Sequence, residues 1–334
     1  MLGGQRKGAV AETPALVRLP FARLAWMVTL ATVLVVLFGA VVRITGSGAG
    51  CGQHWPTCHG EVAHLPRSVE TWIELTHRTT SGLDLLAVLL LAVVGWRALP
   101  GRHPARIAAL LALALMIVEA LIGARLVLLN LVGSNMSFDR VVVMPAHLVT
   151  TSLLIGALAA ASYFSSEGRL TPAPNATERE RAALRRAYWW VVAAGALLLL
   201  VSMTGAVTAL GDTVYPVRGN STLERLQNDQ AVDAHFLGKV RVVHPLLALL
   251  GVAALWIAGS RARDAGKAAL IQRLGVGLYA GGALALAIGL LNIMLAAPGY
   301  LQVIHLAMAC LLWLGTVVLA SALWDAQRRE PSSQ

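Results

Sequence analysis

Charge is scarce in this chain of 334 residues, with 13% Asp, Glu, Lys and Arg. A soluble domain carries about 25%, so an ordinary globular class is excluded. Cysteine is scarcer still, at three residues, which rules out a disulfide-dense secreted scaffold. Acidic residues are outnumbered 17 to 27 by basic ones, giving a formal charge of +10. What fills the chain is apolar: 57% of it is hydrophobic.

A helix needs roughly 20 apolar residues to cross the hydrocarbon core. Runs of that kind recur at 24–42, 73–99, 107–130, 141–164, 188–210, 242–260, 274–297 and 300–324. They predict an all-α integral membrane protein with eight spans and no room for a separate soluble domain. The first run is longer than the 7–15 residues of a signal-peptide core and precedes no convincing cleavage site, so it reads as a retained helix.

The basic residues could suggest nucleic acid, but their placement argues for lipid instead. They gather before the first run (Arg6, Lys7, Arg18, Arg23) and after the second (Arg97, Arg102, Arg106). They gather again after the fourth (Arg169, Arg179, Arg181, Arg185, Arg186), after the sixth (Arg261, Arg263, Lys267, Arg273) and in the tail (Arg328, Arg329). All these segments share one side of the bilayer, as the positive-inside rule requires, so both termini are expected in the cytoplasm of a multi-pass cell (plasma) membrane protein.

The chain also repeats itself. Phe38-Gly39-Ala40-Val41 near the end of the first run matches Thr204-Gly205-Ala206-Val207 in the fifth. Gly39 and Gly205, like Gly123 and Gly289, stand 166 residues apart, and His77 answers His244. His147 and His305 then open the fourth and eighth helices. Ordered matches of this kind predict two four-helix bundles related by a pseudo-two-fold axis along the membrane normal. The expected organisation is an N-terminal segment 1–23, a first half 24–165 with an outer cysteine loop 44–72, a linker 166–187, a second half 188–324 and a tail 325–334.

His77, His147, His244 and His305 all fall in the first turns of even-numbered helices, at similar depth in the outer leaflet. Ionisable groups there are costly and mark function. Haem iron takes axial histidines, and bundles build cofactor sites from facing helices. The economical pairs are His77 with His147 and His244 with His305. Zinc or copper would also accept imidazole, but two separate pairs suit two planar cofactors better.

The two halves differ beside these histidines. Glu74 stands three residues before His77, and Arg241 three before His244; Asp84 in the first half is matched by Gly251 in the second. Proton transfer needs a titratable group, so the acidic half is the candidate for chemistry. Glu74 reads equally as a carboxylate stabilised by the helix dipole. Arg43, Arg78, Arg125 and Arg241 are candidate partners for haem propionates or snorkelling interfacial groups. Glu119 has no partner identifiable in the sequence and is open to a role in a proton path.

The first outer loop carries Cys51-Gly52-Gln53-His54-Trp55-Pro56-Thr57-Cys58-His59. On the oxidising side, Cys51 and Cys58 suit a disulfide or a reversible thiol couple, or a metal site with His54 or His59. Cys310 inside the eighth helix reads as packing.

At these residues the chain resembles the haem A synthase family, in its cysteine-bearing bacterial form. The resemblance covers almost the whole chain. It is carried by Gly39, the run Arg43-Ile44-Thr45-Gly46-Ser47-Gly48, the Cys51/Cys58 pair, Glu74-x-x-His77-Arg78 and the histidines opening the fourth, sixth and eighth helices. It implies oxidation of the C8 methyl group of haem O to the formyl group of haem A. It further implies that His77 and His147 belong to the substrate-haem site, Glu74 to catalysis, His244 and His305 to a haem b site, and Cys51–Cys58 to a disulfide linked to haem handling. Haem O synthase, cytochrome oxidase assembly and an electron donor are the implied partners. Some bacterial members have a second cysteine pair in the matching outer loop; here 211–240 has none, so a role needing two disulfides does not carry over.

Two rival readings compete. A di-haem b cytochrome linked to quinol uses the same four histidines but has no use for Glu74 at one site alone. A transporter with repeated bundles should break its helices with Gly or Pro near the midplane, whereas the polar residues here gather near the outer ends.

Overall fold

The computed structural model describes residues 15–133, 135–166, 170, 176–216 and 218–328, with backbone alone at 15–19. Residues 1–14, 167–169, 171–175 and 329–334 of the expected terminal and linker segments, with Arg6, Lys7, Arg169 and Arg329, lie outside the described residues.

Among the described residues ten helices are formed: α1 (Ala15–Ile44), α2 (Val69–Ala98), α3 (Pro104–Leu128), α4 (Phe138–Ser165), α5 (Glu178–Val214), α6 (Thr222–Asp229), α7 (Phe236–Lys239), α8 (Val243–Ala265), α9 (Ala269–Met294) and α10 (Gly299–Gln327). Eight segments are long and apolar enough to span a bilayer, and the sixth joins α7 and α8 through one 3₁₀ turn. The chain is an all-helical, multi-pass membrane protein. The apolar runs do not announce α6, which is short and polar, or α7, a single turn that precedes the sixth run.

The helices also outrun their apolar runs. Polar residues outside the hydrocarbon cap and extend them, so the true ends are set by hydrogen bonding. Ser68 accepts from the Thr71 amide to start α2, and Ser137 accepts from that of Arg140 to start α4. A capping box of Thr177 and Glu180 begins α5 well before its apolar run. The glycine motifs at Gly39 and Gly205 therefore lie inside α1 and α5, which continue to Ile44 and Val214.

In the first half α1 packs on α2 and α4, and α3 packs on both α2 and α4. In the second, α5 packs on α8 and α10, and α9 packs on both α8 and α10. This is consistent with two four-helix bundles. The halves meet through α4 against α5 and α10, and through α1 against α10. With water absent, such contacts depend on close approach, which small residues allow. A Cβ on Gly156 would stand 3.2 Å from the Trp313 indole nitrogen, which itself donates to the Ser152 carbonyl at 2.5 Å.

The main apolar core joins both halves through Phe21, Leu91, Leu158, Leu255, Leu278 and Leu319. None of its fully buried members stands within a helical turn of the four histidines in sequence. Cys310 packs with Val33 and Ile155 in a separate small cluster, as expected.

Candidate functional site

The cysteine loop is fastened to the start of α2. Cys51 and Cys58 form a disulfide, so the sulfurs are committed to each other and the cysteine-ligated metal alternative does not hold. Above the bridge, His59 and His64 face each other with ring centres 4.8 Å apart, and His64 Nδ1 is 2.8 Å from Glu61 Oε2. Gly50 must be glycine here, because a Cβ would meet the Glu70 backbone at 2.5 Å. The Gly50 carbonyl accepts from the Thr71 hydroxyl at 2.7 Å.

Glu74 lies at the centre of this docking. It is 3% exposed; its Oε2 accepts from the Cys51 amide at 2.7 Å, and its Oε1 accepts from Arg78 one turn later. The same guanidinium donates to the carbonyls of Thr57, at 2.7 Å, and His54. Glu74 is the sixth residue of α2, whose first-turn acid is Glu70. The helix-dipole reading of Glu74 loses its basis, because that effect fades beyond the first turn.

His244 and His305 project from α8 and α10 toward one another, with ring centres 6.3 Å apart and planes at 86°. A metal midway would stand about 3 Å from each ring centre, where a ring nitrogen about 2 Å from the metal would place it. The spacing fits two axial imidazoles on one haem iron. His77 from α2 and His147 from α4 are near enough to interact electrostatically.

Three of the four rings rest on a glycine of the neighbouring helix. A Cβ at Gly39 would come within 3.1 Å of His77, at Gly205 within 2.9 Å of His244, and at Gly289 within 3.3 Å of His305. Gly123 departs from the repeat: a Cβ there would meet nothing within 4 Å. On that helix the neighbour of His147 is Glu119, whose Oε1 lies 2.9 Å from His147 Nδ1. In this ring rotamer Nδ1 makes no hydrogen bond to that oxygen. The imidazole χ2 well is broad, so a small rotation brings the two groups into line. Thr150 and Thr151 also donate to the Glu119 carboxylate.

Glu119, for which the sequence identifies no partner, thus has three neighbours, all on α4. Two further contacts escaped the sequence for the same reason, that they join different helices. Asp84, 4% exposed, accepts from Thr32 of α1 at 3.0 Å. Arg43 reaches across the half boundary, donating to the Ala209 carbonyl at 3.0 Å, the Thr213 hydroxyl at 2.8 Å and Gln302 Oε1 at 2.7 Å.

The remaining nominated arginines divide in the same way. Arg241 is held by Asp212 at 3.0 Å, Asp229 at 2.5 Å and the Tyr215 carbonyl. Arg125 is exposed near the end of α3. A propionate approaching Arg43, Arg78 or Arg241 would have to displace protein oxygens; one approaching Arg125 would not.

Fold and site together define a polytopic helical membrane protein with four half-buried histidines, two of them facing each other, and an oxidised loop fastened to α2. The chain belongs to the COX15-CtaA family, described as cytochrome oxidase assembly protein, whose profile matches residues 22–68 and 66–317. It is 45% identical over 315 residues to a protein named protoheme IX farnesyltransferase from Thermus thermophilus, covering 93% of this chain and 49% of that protein. It is 42% identical over 108 residues to heme A synthase of Staphylococcus haemolyticus, covering 31% of this chain and 36% of that protein. With heme A synthase of Exiguobacterium sp. the identity is 42% over 97 residues, 29% and 32% of the two chains. The chain spans about half the length, or less, of these curated relatives.

Proposed function

We propose that this chain is a haem A synthase, a membrane oxidoreductase that converts the C8 methyl group of haem O to the formyl group of haem A. The carrying observation is the buried Glu74, three residues before His77 in one half, against a histidine pair in the other half that has Arg241 at the matching position and a spacing suited to one iron. Family membership and the names of the heme A synthase relatives support it. They do not favour the di-haem electron-transfer reading.

In this reading His77 and His147 hold the substrate haem and His244 and His305 hold haem b. The residues present fit such groups: the Nδ1 atoms of His77, His147 and His305 are buried without hydrogen bonds, His244 Nδ1 can donate to the Val201 carbonyl at 3.1 Å, and no buried member of the main core stands within a helical turn of the four histidines in sequence. The iron supplies the redox chemistry when bound. The protein's part is orientation and proton handling. Gly39 lets α1 approach His77 closely. Glu74, fixed by Cys51 and Arg78, offers a carboxylate on the same helical face as His77 to take or relay protons from the reacting carbon.

The cysteine-loop face is extracytoplasmic and both termini are cytoplasmic. The disulfide suits the oxidising side, and Arg97, Arg102, Arg106, Arg185, Arg186, Arg261, Lys267 and Arg273 lie toward the opposite face. A farnesyltransferase that makes haem O is the proposed supplier, supported by the match to half of a protein of that name. Oxidase assembly consumes the product, and a separate donor supplies electrons.

The test is expression with and without a haem O source, followed by chromatography of extracted porphyrins. A formyl-bearing haem made only when haem O is present supports the reading. Recovery of unmodified haem alone overturns it.

A further inference from the structure

The two histidine pairs are backed by different acceptors. In the second half the Nδ1 of His244 faces a backbone carbonyl, that of Val201, at 3.1 Å, with the Thr204 hydroxyl at 3.3 Å. In the first half the backed histidine is the other one, His147, and its acceptor is a side-chain carboxylate, Glu119, at 2.9 Å. Ala285 stands 166 residues after Glu119, so the repeat gives His305 no counterpart, and the Nδ1 of His305 has no hydrogen bond.

The Glu119 carboxylate lies within hydrogen-bond reach of His147 Nδ1 and of the hydroxyls of Thr150 and Thr151. An imidazole whose Nδ1–H is held by such a group presents Nε2 to a metal, in one tautomer and one orientation, and is a stronger ligand.

We propose that Glu119 is a positioning residue of the N-terminal haem site: it orients His147 and makes it the most basic of the four imidazole ligands. The inference rests on the reading of His147 as an iron ligand. A more basic axial ligand favours ferric over ferrous iron, so the haem of the first half has a lower reduction potential than it would with a neutral acceptor. This gives the sites different electronic settings although both use histidine pairs.

The experiment is spectroelectrochemical titration and haem quantitation of purified full-length protein, comparing wild type with Glu119→Gln, Glu119→Ala and Glu119→Asp. The haem lost in His77→Ala marks the N-terminal site. Glu119→Gln, which keeps an oxygen acceptor without charge, should retain this haem and shift its potential upward. Glu119→Ala should weaken its retention by about 10- to 100-fold, the usual cost of removing such a partner. Glu119→Asp should restore part of the shift, and the haem bound by His244 and His305 should keep its potential throughout. An unchanged N-terminal potential and haem content in Glu119→Gln and Glu119→Ala, even with lowered thermal stability, would reduce Glu119 to a structural tie and overturn the proposal. If His147→Ala also retained that haem, the ligand assignment beneath it would fall instead.

Discussion

The amide of Cys51 donates to Glu74 Oε2 at 2.7 Å, so an outer-loop disulfide and a carboxylate one helical turn from His77 share a hydrogen bond. Loop position and carboxylate position are therefore one property of the molecule. Arg78 strengthens the tie by holding Glu74 and two loop carbonyls with a single guanidinium.

Opening the disulfide should loosen this arrangement. Closing so short a loop constrains the unfolded chain by about 2–3 kcal/mol on the entropy model. Cys51→Ser with Cys58→Ser should lower the thermal midpoint accordingly and reduce haem A yield, read by differential scanning fluorimetry and porphyrin chromatography. An unchanged midpoint and yield would show that Thr71 and Arg78 hold the loop unaided.

Glu74→Gln keeps an acceptor for the Cys51 amide while removing the charge. Haem content should stay near wild type while conversion of haem O falls by about 10²–10⁴-fold, the range for losing a general acid or base. Wild-type conversion would remove Glu74 from the chemistry.

The glycines under the rings make a contrasting pair of substitutions. Gly205→Ala pushes a methyl group to 2.9 Å from the His244 ring and should displace it, with loss or spectral change of the second-half haem. Gly123→Ala meets nothing within 4 Å and should leave both haems unchanged. Replacing a helical glycine there should raise stability by up to about 1 kcal/mol. Absorption spectra and thermal midpoints of the two variants decide the matter.

Arg43 ties α1 to α5 and α10 across the boundary between the halves. Arg43→Leu leaves Gln302 and Thr213 without their charged partner, and should cost about 1–3 kcal/mol. Guanidinium titration in detergent should show a lower midpoint, and limited proteolysis should show faster cleavage between the halves. Unaltered stability would mean that Gln302 and Thr213 find other partners.

How much was legible beforehand depended on whether a feature lay within one helix or between two. Each span declares itself through some twenty apolar residues. Glu74 beside His77, and the cysteine pair in its loop, are likewise visible as short spacings along the chain. The role of Glu119 was not visible, because its partners His147, Thr150 and Thr151 come from another helix and no sequence period links them. The ends of α2 and α5 were misjudged by a turn or more, because caps and outer polar residues, not hydropathy, end a helix.

By itself, then, the sequence determined the eight spans and which histidines are at issue, since these follow from the transfer of side chains into hydrocarbon. The tertiary structure alone decided that His244 and His305 face each other, that Glu119 backs His147, and that Arg43 serves the boundary between the halves. The physical reason is that helix rotation and crossing are set by close packing between surfaces, and residues that meet there are remote in the chain.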